Sequence, residues 1–172
     1  MTNPISLPDY YNDLDASFAE AWKLVEAGVT DRHSPAHMPT VGTVDEDGAP
    51  QLRIMVLREV SRKSRTLRFH TDARSKKAAQ LQHGACTSIL IYDPAAKAQI
   101  RLSGHASLIS EGGVADVAWS RSNPFARRCY MAEAAPGTTI AQHSSVLTEC
   151  IEGKQPDEEH LADYRGTFAA AW

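Results

Sequence analysis

The residues best suited to chemistry lie where a predicted strand leads into a short helix, in RFHTDARSKKAAQL. Thr71 ends the strand, Ser75 precedes the helix, and Lys76 and Lys77 occupy its first turn. The first turn of a helix has unpaired N–H groups and partial positive charge, so lysines there are unfavourable unless an anion is bound. The stretch therefore predicts a phosphate monoester site. The alternative is a solvated turn in which Ser75 caps the helix.

Two arginines and one glutamine on other predicted strands could extend this site. Arg53 and Arg58 lie in the otherwise apolar stretch LRIMVLRE, and at a spacing of five they face opposite sides of one strand. One of them could reach the same anion as the lysines, or each could be a surface arginine whose aliphatic part covers apolar residues. Gln99 begins the polar face of a long predicted strand, where its amide could pair with a heterocycle or face solvent.

The sequence gives little support for a metal site or for other kinds of catalytic site. Pro35 lies between His33 and His37, which argues against the helical spacing of a metal-binding pair. The remaining histidines lack ligand spacing with cysteines or carboxylates. The sequence contains no GxSxG motif, Walker loop or GxGxxG motif. We therefore predict no metal, and the catalytic residues stay unknown.

Helices are predicted towards both ends of the chain. The first has apolar residues at helical spacing, with Asp15 or Ser17 as its N-cap and Gly28 as its end. A proline divides two later helices, because it cannot continue the first of them. For the C-terminal stretch KQPDEEHLADYRGTFAAAW we make no assignment. The predicted helices are DLDASFAEAWKLVEAG, SKKAAQLQHG, GGVADVAWSRS, PFARRCYMA and IAQHSSVLTECIEG.

Antiparallel strands are predicted for the middle of the chain. Asp47-Gly48 indicates a tight hairpin turn, and SRKS indicates a second one. Because crossover helices are missing between most strands, a closed or nearly closed antiparallel barrel with flanking helices is favoured over a parallel sheet. The predicted strands are TVGTV, APQLRIMVLREV, RTLRFHT, ACTSILIYD and AQIRLSGHASLIS.

Composition narrows the class of protein. The 172 residues suit a single domain that spans residues 1–172. A net charge of -3 argues against a nucleic-acid binder or a protein of anionic membrane surfaces. Three separated cysteines without a CxxC pair are typical of reduced thiols in a cytoplasmic protein. Neither a signal peptide nor a membrane-spanning run is evident.

RIMVLR, FHTDARSKKAAQL and QIRLSGHA, in this order, resemble the FMN-binding split barrel of the pyridoxamine 5'-phosphate oxidase type, with VAWSRSNPFARR as a weaker match. The resemblance implies a mainly β protein, an antiparallel split β-barrel with flanking helices. It also implies FMN as cofactor and a homodimer in which both chains contribute to each site. The implied substrate contacts are Trp119 and Arg121. The implied cofactor contacts are Arg53, Ile54, Met55, Val56, Leu57, Arg58, His70, Thr71, Ser75, Lys76, Lys77 and Gln99.

The same resemblance predicts an FMN-dependent oxidoreductase that acts on a small molecule. In the oxidases of this type, a hydride passes from pyridoxine or pyridoxamine phosphate to the flavin. The chain departs from the pattern at Arg58 and His70, and Arg165 precedes Trp172 where the oxidases have a Trp followed by an Arg. An NAD(P)H-dependent flavin reductase and a non-catalytic module that binds flavin, deazaflavin or haem are therefore the alternatives.

Overall fold

Two antiparallel four-stranded sheets form the body of the protein in a computed structural model that describes residues 8–82, 84–139 and 157–171. The first sheet has the strand order β2-β1-β5-β6, and the second has the order β3-β4-β8-β7. The strands are β1 Thr40–Val44, β2 Pro50–Ile54, β3 Leu57–Ser61, β4 Thr66–Asp72, β5 Ala85–Asp93, β6 Ala98–Ala106, β7 Leu108–Ile109 and β8 Phe168–Ala171.

Helices flank the two sheets, and none in the described ranges has the length and apolar character needed to span a membrane. The predicted helix IAQHSSVLTECIEG lies outside the described residues. The α-helices are α1 Leu14–Thr30, α2 Lys76–Leu81, α3 Gly113–Arg121, α4 Pro124–Arg127 and α5 Glu158–Ala162. Short 3-10 turns span Asp9–Asn12, Pro35–His37, Arg128–Met131 and Arg165–Thr167.

The first helix begins and ends at residues other than those predicted. Asp13, rather than Asp15 or Ser17, is the N-cap, because its Oδ1 accepts a hydrogen bond from the N–H of Ala16 at 2.9 Å. At the other end Gly28 lies inside α1 and does not end the helix. Its lack of a side chain allows the helix to pack closely against its neighbour. A Cβ atom on Gly28 would lie 2.5 Å from the backbone of the neighbouring 3-10 turn.

The two longest predicted strands each divide in two. The chain passes from β2 to β3 at Met55–Val56 and from β6 to β7 at Ser107, leaving the first sheet for the second each time. The alternation of apolar and polar residues continues where the chain changes sheet. The sequence pattern alone therefore does not show where one strand ends and the next begins. Arg53 and Arg58 therefore lie in different sheets, and the prediction that they face opposite sides of one strand is wrong.

Within the described ranges, buried apolar side chains form two large cores and a small third cluster of Leu81, Ala106 and Ala171. One core lies between the two sheets and includes Trp22 and Val25 of α1. The second lies between the outer side of the second sheet and the C-terminal helices, and we call it the second core. β8 is buried on both faces and pairs with both β4 and β7. The second core consists of Ala118, Trp119, Tyr130, Met131, Leu161, Phe168 and Ala170.

Candidate cofactor site

Two cations from different elements meet beside the β2 edge of the first sheet. Arg53 of β2 faces the inner side of this sheet, as its buried register partner Val41 does. Arg53 Nη1 donates a hydrogen bond to Thr43 Oγ1 at 2.5 Å, and Nη2 donates one to Gln80 Oε1 at 3.3 Å. Lys77 of α2 is the second cation, close enough for its pKa to respond to Arg53. We call Arg53, Lys77, Thr43 and Gln80 the cationic site.

The cationic site has an unbalanced positive charge. Among the described residues, no ion pair within 4.0 Å joins Arg53 or Lys77 to a carboxylate. Burial lowers the pKa of Lys77 and the nearby Arg53 lowers it further, while Asp72 acts in the opposite direction. Burial also lowers the pKa of Arg53. Partly buried like charges are unfavourable, so an anion bound at this point would be stabilising.

The other polar groups of the predicted phosphate site are bonded within the fold. Arg74 forms a bidentate ion pair with Asp72, with contacts of 3.0 and 2.7 Å, and also donates to the carbonyl of Ala132. Ser75 is at the N-cap position of α2, but its hydroxyl donates to the carbonyl of Asp72 at 2.7 Å. Thr71 Oγ1 lies 3.4 Å from Ser75 Oγ. Binding of an anion would therefore depend on the side-chain cations more than on the N-terminus of this six-residue helix.

Several predicted cofactor contacts lie on other surfaces of the chain. Lys76 is exposed in the first turn of α2. Ile54 is exposed on the outer face of the first sheet, whereas Met55 and Leu57 are buried in the barrel core. Val56 is half-buried at the passage between the sheets. Within one chain, the stretch from Ile54 to Leu57 does not present a single surface.

Gln99 does not join the cationic site of its own chain. It pairs with Tyr92 on the exposed outer face of the first sheet, whereas Arg53 lies on the inner face. β6 and β2 are also the two edge strands of this sheet, three strand spacings or roughly 14 Å apart. Arg53 and Gln99 could contact one ligand together only if a second chain supplied one of them.

Arg58 and His70 lie away from the barrel interior, on the second sheet. The ring of His70 meets Phe168 edge-on at 4.8 Å, and its Nδ1 lies 3.4 Å from Ser122 Oγ. Its Nε2 is buried and has no hydrogen-bond partner among the described residues. Burial, followed by the positive charges of Arg58 and Arg68, lowers the pKa of His70 to about 4. His70 is therefore neutral at neutral pH.

The environment of His70 predicts a loss of stability in mild acid. Its pKa is lower in the folded chain than in the unfolded chain, so the unfolded chain binds more protons below about pH 6.5. The free energy of unfolding should fall as the pH is lowered from about 6.5 towards 4. Allowing for partial solvent screening, we expect His70 to account for about 1–2 kcal/mol between pH 7.5 and 5.

Urea unfolding of the flavin-free protein at the two pH values measures this loss. His70→Gln should remove it, whereas His33→Gln on the surface should leave it in place. The same pH dependence in wild type and His70→Gln would contradict the prediction.

The two predicted substrate contacts lie apart from the cationic site. Trp119 is buried in the second core, with its ring edge-on to Tyr130 and Phe168 and the Arg127 guanidinium 5.3 Å from its centre. Arg121 is exposed at the end of α3. Substrate contact by either residue stays a prediction.

The histidines considered as a metal pair have another arrangement. His37 closes the 3-10 turn Pro35–His37, and its Nδ1 donates to the carbonyl of Gly28 at 2.7 Å. His33 is exposed before that turn. Across the three described ranges, no three His, Cys, Asp or Glu side chains come together as potential metal ligands.

Sequence reasoning missed two members of the cationic site, Thr43 and Gln80. Both could have been found from spacing. Thr43 is two residues after Val41 in β1 and so points to the same side of the sheet. Gln80 is three residues after Lys77 in α2 and so lies on the same side of the helix.

The fold and the cationic site define a class of protein, a split β-barrel with a basic site beside the first sheet. Residues 19–110 match the family model described as pyridoxamine 5'-phosphate oxidase, FMN-binding domain. The chain belongs to this family. The split barrel and the family resemblance predicted from the sequence are thereby confirmed.

The curated relatives are distant in sequence, and they are longer than this chain. The pyridoxine/pyridoxamine 5'-phosphate oxidase of Bartonella quintana is 26% identical over 170 residues, which are 98% of this chain and 74% of that protein. The enzyme of the same name from Caulobacter vibrioides is 33% identical over 96 residues, 56% of this chain. The chain matches 41% of the length of that relative.

Solved structures share the fold. A pyridoxamine 5'-phosphate oxidase-related, FMN binding protein from Nostoc punctiforme has a TM-score of 0.65 at 24% identity, covering 97% of this chain and 81% of its own. PhzG from Burkholderia lata, in complex with tetrahydrophenazine-1-carboxylic acid, has a TM-score of 0.61 at 20% identity, covering 97% and 80%. At these identities the likeness is one of fold.

Proposed function

We propose that this protein binds FMN by its phosphate group at the cationic site and acts as a flavin-dependent oxidoreductase on a small molecule. The observation that carries the proposal is the pair Arg53 and Lys77, which are partly buried and close together and form no ion pair within 4.0 Å with a carboxylate in the described ranges. A phosphate dianion would offset both charges, and each charge-assisted hydrogen bond contributes about 1.5–3 kcal/mol. Membership of an FMN-binding family supports the same cofactor.

The residues of the chain would have separate tasks in holding FMN. Thr43 and Gln80 orient the guanidinium of Arg53, so that it is in place before the phosphate arrives. Lys77 brings the second positive charge from α2. FMN would supply hydride-transfer chemistry that amino-acid side chains do not provide. Arg58, which is exposed on β3, would stabilise negative charge on the ring or the substrate.

A homodimer would complete the site. The outer face of the first sheet carries exposed apolar side chains, which is typical of a protein interface. The occupant we propose is a second copy, since Gln99 lies on this face and Arg53 lies behind it. Gln99 of one chain would then contact the flavin held by Arg53 of the other. The exposed apolar residues of this face are Val44, Leu52, Ile54, Leu90 and Tyr92.

The names of the relatives suggest pyridoxine or pyridoxamine phosphate as the small molecule. One observation favours a second candidate, a flavin reductase that uses NAD(P)H. The ring of Trp119 lies in the second core, away from the exposed Arg121, so the pair expected to bind a substrate phosphate is not assembled. Reduction of the bound flavin by NAD(P)H without turnover of pyridoxine phosphate would select the reductase.

The phosphate group should dominate flavin affinity. We expect FMN to bind at least about 100-fold more tightly than riboflavin, which has the same ring system and no phosphate. Titration of flavin-free protein, followed by quenching of flavin fluorescence, measures both affinities. Equal affinities for FMN and riboflavin would contradict the proposed site.

Purification without added cofactor provides an independent check of the ligand. A flavin absorption spectrum and release of FMN on denaturation are expected. A haem or deazaflavin spectrum would assign the barrel to a different cofactor and would overturn the proposal even if the cationic site binds phosphate.

A further inference from the structure

A cavity of about 210 Å³, partly open to solvent, lies between the two sheets. Its lining is largely apolar and comes from both sheets and from α2. An apolar cavity of about 150 Å³ is large enough to bind benzene. This cavity is therefore large enough for a bicyclic aromatic molecule. Its apolar lining includes Val41, Leu67, Phe69, Leu81, Ile89 and Leu102.

An exposed glycine leaves one side of the cavity open. Gly104 lies within β6 and lines the cavity, and a Cβ atom added to it would meet nothing within 4 Å. Its φ is outside the left-handed region, so the backbone does not require glycine there. Glycine in a strand interior weakens the strand, and such a residue often marks a place where a ligand approaches closely.

A hydroxyl without a partner lies directly opposite this glycine. Thr87 of β5 is the register partner of Gly104 and also lines the cavity. The Oγ1 atom of Thr87 is buried and has no hydrogen-bond partner among the described residues. A buried hydroxyl without a partner is unfavourable, and a ligand with one polar atom would satisfy it.

We propose that this cavity binds a small, uncharged aromatic molecule, with its ring in the space beside Gly104 and one polar group bonded to Thr87. The cavity is separate from the cationic site, because its described lining contains none of the four residues that form that site. Two ionisable side chains line the cavity, Arg65 and His105, and both are exposed to solvent, whereas the buried part of the lining is apolar and favours a ligand without charge. The proposal does not depend on FMN binding.

Indole and 1-methylindole are suitable probes, because indole can donate its N–H to Thr87 and 1-methylindole cannot. Calorimetric titration of the protein as purified should show saturable binding of both. Gly104→Leu should weaken both probes by at least about 10-fold by filling the cavity, while the melting temperature stays the same or rises. Thr87→Val should weaken indole by about 2- to 10-fold and leave 1-methylindole unchanged.

A matched control is Gly113→Leu, since a Cβ atom there also meets nothing within 4 Å and the residue lies outside the cavity lining. This variant should bind both probes as the wild type does. Absence of saturable binding, or equal affinity in wild type and Gly104→Leu, would overturn the proposal. Flavin content, measured on the same samples, reports separately on the cationic site, and displacement of flavin by indole would also overturn the assignment of a separate cavity.

Discussion

Replacing Lys77 with methionine should weaken FMN binding by about 10- to 100-fold and leave the flavin-free protein as stable as the wild type, or more stable. The first effect follows from the loss of one charge-assisted hydrogen bond to the phosphate. The second follows because burial and Arg53 both lower the pKa of Lys77, which means that its charge is unfavourable in the free protein. Methionine retains most of the aliphatic part of lysine and removes the charge.

The opposite signs of the two effects distinguish a ligand-binding lysine from a structural one. FMN titration measures the affinity, and urea unfolding of the flavin-free protein measures the stability. Lys76→Met, in the neighbouring exposed position, should weaken FMN binding less than Lys77→Met, and Lys63→Met in the β3–β4 turn should have no effect. A Lys77→Met protein that is destabilised by more than about 1 kcal/mol and binds FMN normally would show that Lys77 is structural.

The sequence identified the cationic stretch but not which of its cations are unpaired. Arg74 and Lys77 are three residues apart, yet Arg74 pairs with Asp72 whereas Lys77 lies near Arg53 of another strand. The difference depends on the direction in which each side chain leaves the end of β4 and the first turn of α2. The position of Gln99 is a similar case. Strand alternation predicts which residues share a face with Gln99, but it does not predict whether Arg53 lies on that face.

Patterns of neighbouring residues, such as turn dipeptides, predicted the fold better than inferences about contacts between residues distant in sequence. The turn at Asp47-Gly48 is confirmed, with Gly48 at a φ of 80° and its N–H bonded to the carbonyl of Asp45. β8 was not predicted, because alanine favours helices over strands. Its residues form a strand because β4 and β7 offer hydrogen bonds on both sides, and burial on both faces favours its apolar side chains.

Replacing Phe168 with alanine should lower the free energy of unfolding by about 3–5 kcal/mol. Phe168 is fully buried at the centre of the second core, where its ring centre lies 4.8 Å from that of His70, 5.4 Å from Trp119 and 5.3 Å from Tyr130. Phe168→Leu should cost less, about 1–2 kcal/mol, because leucine keeps most of the volume. Phe125→Ala is the matched control, since Phe125 is exposed. Urea unfolding at fixed pH measures all three.

The same variant tests whether the second core and the cationic site are independent. Phe168 faces the second core, whereas β8 contributes Ala169, beside Thr71, to the other face of the sheet. The folded fraction of Phe168→Ala should therefore bind FMN within about 3-fold of wild type, because changes at distant sites usually combine additively. Saturating FMN should then raise the stability of wild type and variant by similar amounts. A loss of FMN affinity as large as that expected for Lys77→Met would mean that the second core positions the cofactor site through β4.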